Sequence, residues 1–167
     1  MKHNLANDFI VDKKNNTITI KREFAASQDL VWDAFTKKEI LDQWWAPKPW
    51  QAKTKSMDFK SGGRWLYAMV GPAGEEHWSY IDYILVEPTT RFTGKDAFSD
   101  SDGNINKDMP RSKWEVTFTG KGETTLVEFH ISYDELAQLE ATIQMGFKEG
   151  ITMTLDYLNE LLPSLKK

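Results

Sequence analysis

The chain of 167 residues contains no cysteine. Disulfide staples, thiol catalysis and cysteine-ligated metals are therefore excluded. A basic excess is also missing: 21 Lys and Arg stand against 25 Asp and Glu, for a formal charge of -4. That argues against nucleic acid or an anionic membrane as the main partner, because both select a basic surface. No apolar run approaches the ~18–20 residues needed to span a bilayer. Met1 to Ile10 is too polar for a signal peptide, so a cytoplasmic location is expected. Histidine is scarce, and His3, His77 and His130 stand alone. No pair has helical or hairpin ligand spacing and no carboxylate cluster completes a set, so neither a metal centre nor a cofactor is expected. Gly62-Gly63 and Gly71-x-x-Gly74 read as turns, since no GxxxxGK[ST] follows a strand. The acidic stretch Asp96 to Asp108 lacks calcium-hand spacing and reads as solvated loop.

Aromatic residues are abundant instead, at 13% of the chain with seven tryptophans. They fall on alternate positions of short strands. Trp65, Tyr67 and Met69 alternate, as do Trp78 and Tyr80, and Trp114, Val116 and Phe118. From Asn16, Ile18, Ile20, Arg22 and Phe24 share one face and Thr17, Thr19, Lys21 and Glu23 the other, which predicts a half-buried strand. Ser27 is a good N-cap for a helix running to about Lys37, with Asp29 in its first turn. A second short helix over Lys38 to Trp45 is stopped by Pro47 and Pro49. Further strands are predicted at 51–57, 64–70, 76–86, 91–98, 112–119 and 123–132. Ser99 to Pro110 between them is a polar, mobile loop. In the last strand Val127, Phe129, Ile131 and Tyr133 oppose Glu128, His130 and Ser132, so the sheet has one covered and one wet face.

One long helix is predicted from Asp134 to Leu162. Leu136, Leu139, Ile143, Phe147, Ile151, Leu155, Leu158 and Leu162 lie near one stripe, and Pro163 ends it. Gly146 and Gly150 inside it each cost ~1 kcal/mol relative to Ala. They mark a side that approaches the sheet closely or leaves room for a guest. The expected organisation is a leader over 1–15, one α+β domain over 16–162 and a tail over 163–167.

The runs Arg22-Glu-Phe-Ala-Ala-Ser27, Val31-Trp32-Asp-Ala-Phe-Thr36, Leu41-Asp-Gln-Trp44-Trp45 and Gly62-Gly63-Arg64-Trp65 resemble the SRPBCC superfamily. Gly71-Pro-Ala-Gly74, Glu87-Pro88 and Gly150-Ile151 followed by Leu155-Asp-Tyr-Leu158 continue the match, which covers about residues 16 to 162. Within the superfamily the chain looks like the branch named for the activator of Hsp90 ATPase homologue 1. Ile151 stands where such sequences often carry Trp, a departure that would enlarge or reshape a cavity. The resemblance implies a helix-grip fold of the START-like, Bet v 1-like kind. A curved antiparallel sheet wraps around a long C-terminal helix, with two short helices after the first strand and an apolar cavity between sheet and helix. Members include carriers of hydrophobic ligands, cyclases and domains that stimulate a chaperone ATPase, so the resemblance alone does not fix the activity.

The expected ligand-binding set is Trp65, Tyr67, Met69, Trp78, Tyr80, Trp114 and Phe118 on the sheet and Met145 and Ile151 on the helix. Trp45 and Trp50 would stand at the mouth. Plain core packing is the alternative for each, and a rigid packed corner is favoured for Trp44. Arg22, on a covered face, either anchors an anionic ligand or has a structural role, in an internal ion pair or at a sheet edge where it reaches water; the structural role is favoured. The leading expectation is a non-enzymatic domain that binds a hydrophobic or amphipathic small molecule. A cyclase- or hydratase-type enzyme using Tyr67, Tyr80, Asp82 or Glu128 is the first rival, although strand parity turns Glu128 outward. A chaperone partner, with a role in stress response, follows only from family analogy. A homodimer is compatible with the sequence but not indicated by it.

Overall fold

Period-two patterning decides the architecture, because each strand has one face that must be covered. The computed structural model describes residues 5–166, so His3 lies outside the described residues. The elements run β1 (Asn7–Asp12), β2 (Thr17–Phe24), α1 (Gln28–Thr36), α2 (Lys38–Trp44), β3 (Gln51–Met57), β4 (Arg64–Val70), β5 (Glu76–Glu87), β6 (Arg91–Ser99), β7 (Lys113–Gly120), β8 (Thr125–Ser132), α3 (Leu136–Gln144) and α4 (Phe147–Leu165). The eight strands form one curved antiparallel sheet in the order β1-β2-β8-β7-β6-β5-β4-β3. Between β2 and β3 the chain crosses to the far side of the sheet, and α1 and α2 fill that crossing. This is an α+β, helix-grip architecture. No helix among the described residues is long and apolar enough to cross a membrane.

The covered face carries the core. Ile18, Ile20 and Phe24 of β2, Val127, Phe129 and Ile131 of β8, and Val116 and Phe118 of β7 are buried in one cluster with Leu155, Leu158 and Leu162 of α4. Aromatic edges bind α1 and α2 to it. Trp32 meets Phe118 edge-on at 5.1 Å, and Phe35 meets Trp44 at 4.9 Å. Such pairs add ~0.5–1.5 kcal/mol beyond area burial. Trp44 is fully buried and its indole N–H donates to the Ala34 carbonyl at 2.9 Å, which makes it part of a packed corner. Ser27 caps α1, its hydroxyl accepting from the Leu30 amide.

Four expectations are corrected. The leader contains a strand: β1 pairs with β2 from Asn7↔Arg22 to Asp12↔Thr17. Its run NDFIVD shows no clean alternation because it is an edge strand that buries little beyond Phe9. The long helix is two helices, broken at Gly146, whose φ of +87° no helix accommodates. The second passes through Pro163 and ends two residues later at Leu165. The loop after β6 folds back on the outer face of the sheet. Ser99 bridges Ile105, and Ile105 packs on Leu66, Tyr80 and Ala97 in a second small cluster.

The two glycines of the last helical region have opposite roles. An L-residue at Gly146 must adopt a left-handed conformation, at ~1–2 kcal/mol. A Cβ at Gly150 would meet only the Pro47 ring, at 3.9 Å. Gly146→Ala is therefore expected to lower the urea midpoint, and Gly150→Ala to raise stability by up to ~1 kcal/mol. Shifts of the same sign in both variants would contradict this assignment.

Candidate functional site

The covered faces of β4, β6 and β7 and the first turns of α4 diverge at one end and leave a cavity of about 290 Å³. Trp45, Tyr67, Met69, Trp114, Phe147 and Ile151 supply much of its wall. A smaller cavity of about 50 Å³ lies beside it and shares Trp45, Tyr67, Asp96 and Trp114. Strand parity explains the lining from β4, where Trp65 and Tyr67 are buried together and their rings stack at 4.1 Å. Trp45 follows the last residue of α2, and its indole N–H donates to the Tyr67 hydroxyl at 3.1 Å. Burial pushes the Tyr67 hydroxyl up to about 12 even though the Trp45 contact opposes the shift, so it remains a protonated phenol at neutral pH.

A polar relay interrupts the apolar wall. The Trp114 indole donates to Ser112 Oγ at 2.8 Å, and Ser112 Oγ donates onward to Asp96 Oδ1 at 2.6 Å. The Ser112 amide also donates to Asp96 Oδ1, at 2.8 Å. Burial raises the Asp96 carboxyl above its ordinary value, and hydrogen bonds from Ser112 and Trp114 offset part of that rise. The hydroxyl of Tyr133 is raised as well, first by burial and further by the Asp96 charge. His77, Ser79, Thr142 and Thr154 complete the polar lining.

The raised Asp96 carboxyl makes a signed prediction. A carboxyl that holds its proton more tightly in the folded state contributes full stability below its unfolded value of 3.8 and loses it as pH rises through the folded value. Asp96→Asn keeps an oxygen that can accept from Ser112 and removes the buried charge. Its Tm is expected to exceed that of the parent at pH 7–8 by a few degrees, with the gap closing on acidification to about pH 3. A variant melting below the parent at neutral pH would show that Asp96 is held by compensation other than these hydrogen bonds.

Of the residues expected at the site, Trp45, Tyr67, Met69, Trp114, Met145 and Ile151 line the main cavity. Trp65 lies behind Tyr67 and reaches only the smaller one. Phe118 belongs to the solid core with Trp32 and Phe35. Trp50 meets the ring of the cavity residue His77 at 5.2 Å in a tilted pair, and is not itself part of the wall. Trp78 and Tyr80 are corrected. Tyr80 pairs with Leu66 and both lie in the outer cluster with Trp78 against it; Ser79 is the β5 residue of that stretch on the cavity. Both alternating sets of β5 are bulky, so parity could not choose between them. The outer set is covered by the loop after β6, and the Arg64 guanidinium lies 3.7 Å from the Tyr80 ring centre.

Asp82 pairs with Arg64 at 2.5 Å, and Glu128 with Lys21 at 3.8 Å, so neither serves the cavity. Arg22 is buried but does not line it; its guanidinium is paired with Asp156 on α4. The site residue that sequence reasoning misses is Asp96, whose charge groups it with the acidic loop. It shares parity with Phe92 and Phe98 on β6, and that alternation is the signal that places it on the covered face.

Comparison with known proteins adds the family. The model of the family described as Activator of Hsp90 ATPase homolog 1-like protein matches residues 25–163. The crystal structure of protein Ms6760 from Mycobacterium smegmatis is 30% identical, covering 95% of this chain and 97% of its own, with a TM-score of 0.86. A solution structure of a Staphylococcus epidermidis protein is 26% identical over 94% of this chain and 95% of its own, with a TM-score of 0.81. A protein from Arthrobacter aurescens shares the fold at a TM-score of 0.89, with 22% identity over 94% of this chain and 91% of its own. No curated protein matches the chain.

Proposed function

This chain belongs to the activator of Hsp90 ATPase homolog 1-like family, and on that premise we propose that it is a small-molecule-binding domain. It holds a hydrophobic or amphipathic ligand between the sheet and α4, and it acts in the cytoplasm. The observation that supports this reading is the open cavity of about 290 Å³ walled by aromatic and aliphatic side chains. That volume approaches the ~300 Å³ at which ligand pockets begin, and the mixture of apolar wall and few polar groups is typical of them. Affinity would come from apolar burial at ~25 cal/mol per Å², less the cost of ordering the guest. The cyclase or hydratase rival keeps Tyr67 and gains Asp96, but Tyr80, Asp82 and Glu128 stand away from the cavity. A chaperone-partner role rests on family analogy alone.

Native mass spectrometry tests the reading. The protein is sprayed straight from its expression host and then after exposure to a panel of small hydrophobic compounds. A co-purifying or captured mass in one-to-one ratio is expected. An empty protein that takes up no member of the panel would overturn it.

A further inference from the structure

The cavity carries one acidic side chain. Among its lining residues Asp96 is the only carboxylate, and no lysine or arginine joins it. Its neighbours Ser112 and Trp114 are neutral donors, and no ion pair among the described residues includes it. The nearby Arg111 uses its Nε on the Asp96 backbone carbonyl, at 3.1 Å, and its terminal nitrogen faces Asp82 at 3.7 Å. Arg22, the other cation that could have met an anionic guest, is committed to Asp156. Around Asp96 the wall is aromatic: Trp45, Tyr67, Trp114, Tyr133 and Phe147 all contribute. A carboxyl with no salt bridge among the described residues and only a longer-range attraction from Arg111, set among aromatic side chains, is an arrangement that stabilises a desolvated organic cation through charge and through cation–π attraction.

We infer that the ligand of this cavity is an organic cation: an aromatic or aliphatic body buried against the rings, with an ammonium group directed at Asp96. The two Ser112 hydrogen bonds both fall on Oδ1, and the ammonium is assigned to Oδ2. The aromatic rings accept the remaining positive edge of the head group. Anionic amphiphiles such as fatty acids are disfavoured by the same carboxylate. The inference rests on the cavity being a ligand site, as proposed above, and names the chemistry of its guest.

The test uses the full chain and three probes of one shape: 2-naphthylmethylamine, 2-naphthalenemethanol and 2-naphthoate, titrated at pH 7.5 by calorimetry. The amine is expected to bind about tenfold or more tightly than the alcohol, with the carboxylate weakest. In Asp96→Asn, checked for its fold by circular dichroism, amine and alcohol should bind alike. Equal affinity of amine and alcohol in the parent, or a carboxylate that binds as tightly as the amine, would overturn the cation assignment while leaving the ligand site intact. An amine preference that survives Asp96→Asn would overturn the role of this residue. No binding of any of the three probes would instead count against the ligand site itself, and the cation assignment would fall with it.

Discussion

Ile151→Trp abolishes uptake of apolar probes and leaves the protein folded. Ile151 stands in the early turns of α4, is 7% exposed and forms part of the cavity wall. An indole at this position enters space that is already open, so the ~1–3 kcal/mol usual for overpacking a filled core is largely avoided. The guest then has no room. A two-ring probe that buries ~150 Å² gains ~4 kcal/mol from that burial, and losing most of it lowers affinity a hundredfold or more. Ile151→Val, which widens the cavity slightly, is expected to keep binding. The check is calorimetric titration with 2-naphthalenemethanol beside a thermal melt. Unchanged affinity in the tryptophan variant would place the probe elsewhere on the protein.

Asp156→Ala costs about 2–3 kcal/mol of folding stability, and Arg22→Met costs less than ~1. The asymmetry follows from burial. The Arg22 side chain is 9% exposed and that of Asp156 is 56% exposed. Removing the aspartate leaves a guanidinium inside the protein whose Nη1 already lacks a partner. The loss falls below the ~3–5 kcal/mol usual for an orphaned buried charge because Asp156 is well solvated and their attraction is screened. Removing the arginine leaves a carboxylate that water can serve, and methionine retains much of the apolar packing beside Phe24 and Val127. Urea unfolding of the two variants gives the comparison. Neither change should alter probe affinity by more than about twofold, since Arg22 does not reach the cavity. A larger loss in Arg22→Met than in Asp156→Ala would contradict the assignment.

The parts of the fold with one unambiguous apolar set were legible in the sequence. β2 and β8 alternate cleanly, and their inward residues are the buried ones. The wall residues Tyr67, Met69 and Trp114 followed from the same rule. Where two sets compete, the rule is silent. On β5 a loop from elsewhere in the chain covers the outer set, and that cover is a tertiary fact with no local signature. The break at Gly146 was hidden because the apolar stripe continues in phase through Ile143, Phe147 and Ile151, although the backbone does not. β1 was missed because an edge strand needs no alternation when little of it is buried. Asp96 was missed for a related reason: charge suggested loop, whereas position in β6 placed it inside, held by Ser112 and Trp114.

The central claim is that the space between the sheet and α4 receives a ligand, and the indole N–H resonances test it most directly. Trp45 and Trp114 line the cavity, Trp44 is sealed in the packed corner, and Trp78 stands on the outer face. A ¹H–¹⁵N titration with 2-naphthalenemethanol, with the seven indoles assigned by single Trp→Phe variants, reads all of them at once. The account predicts saturable shifts at Trp45 and Trp114, with Trp44 and Trp78 nearly still. Shifts confined to Trp78, or no saturable shift at either cavity indole, would contradict it.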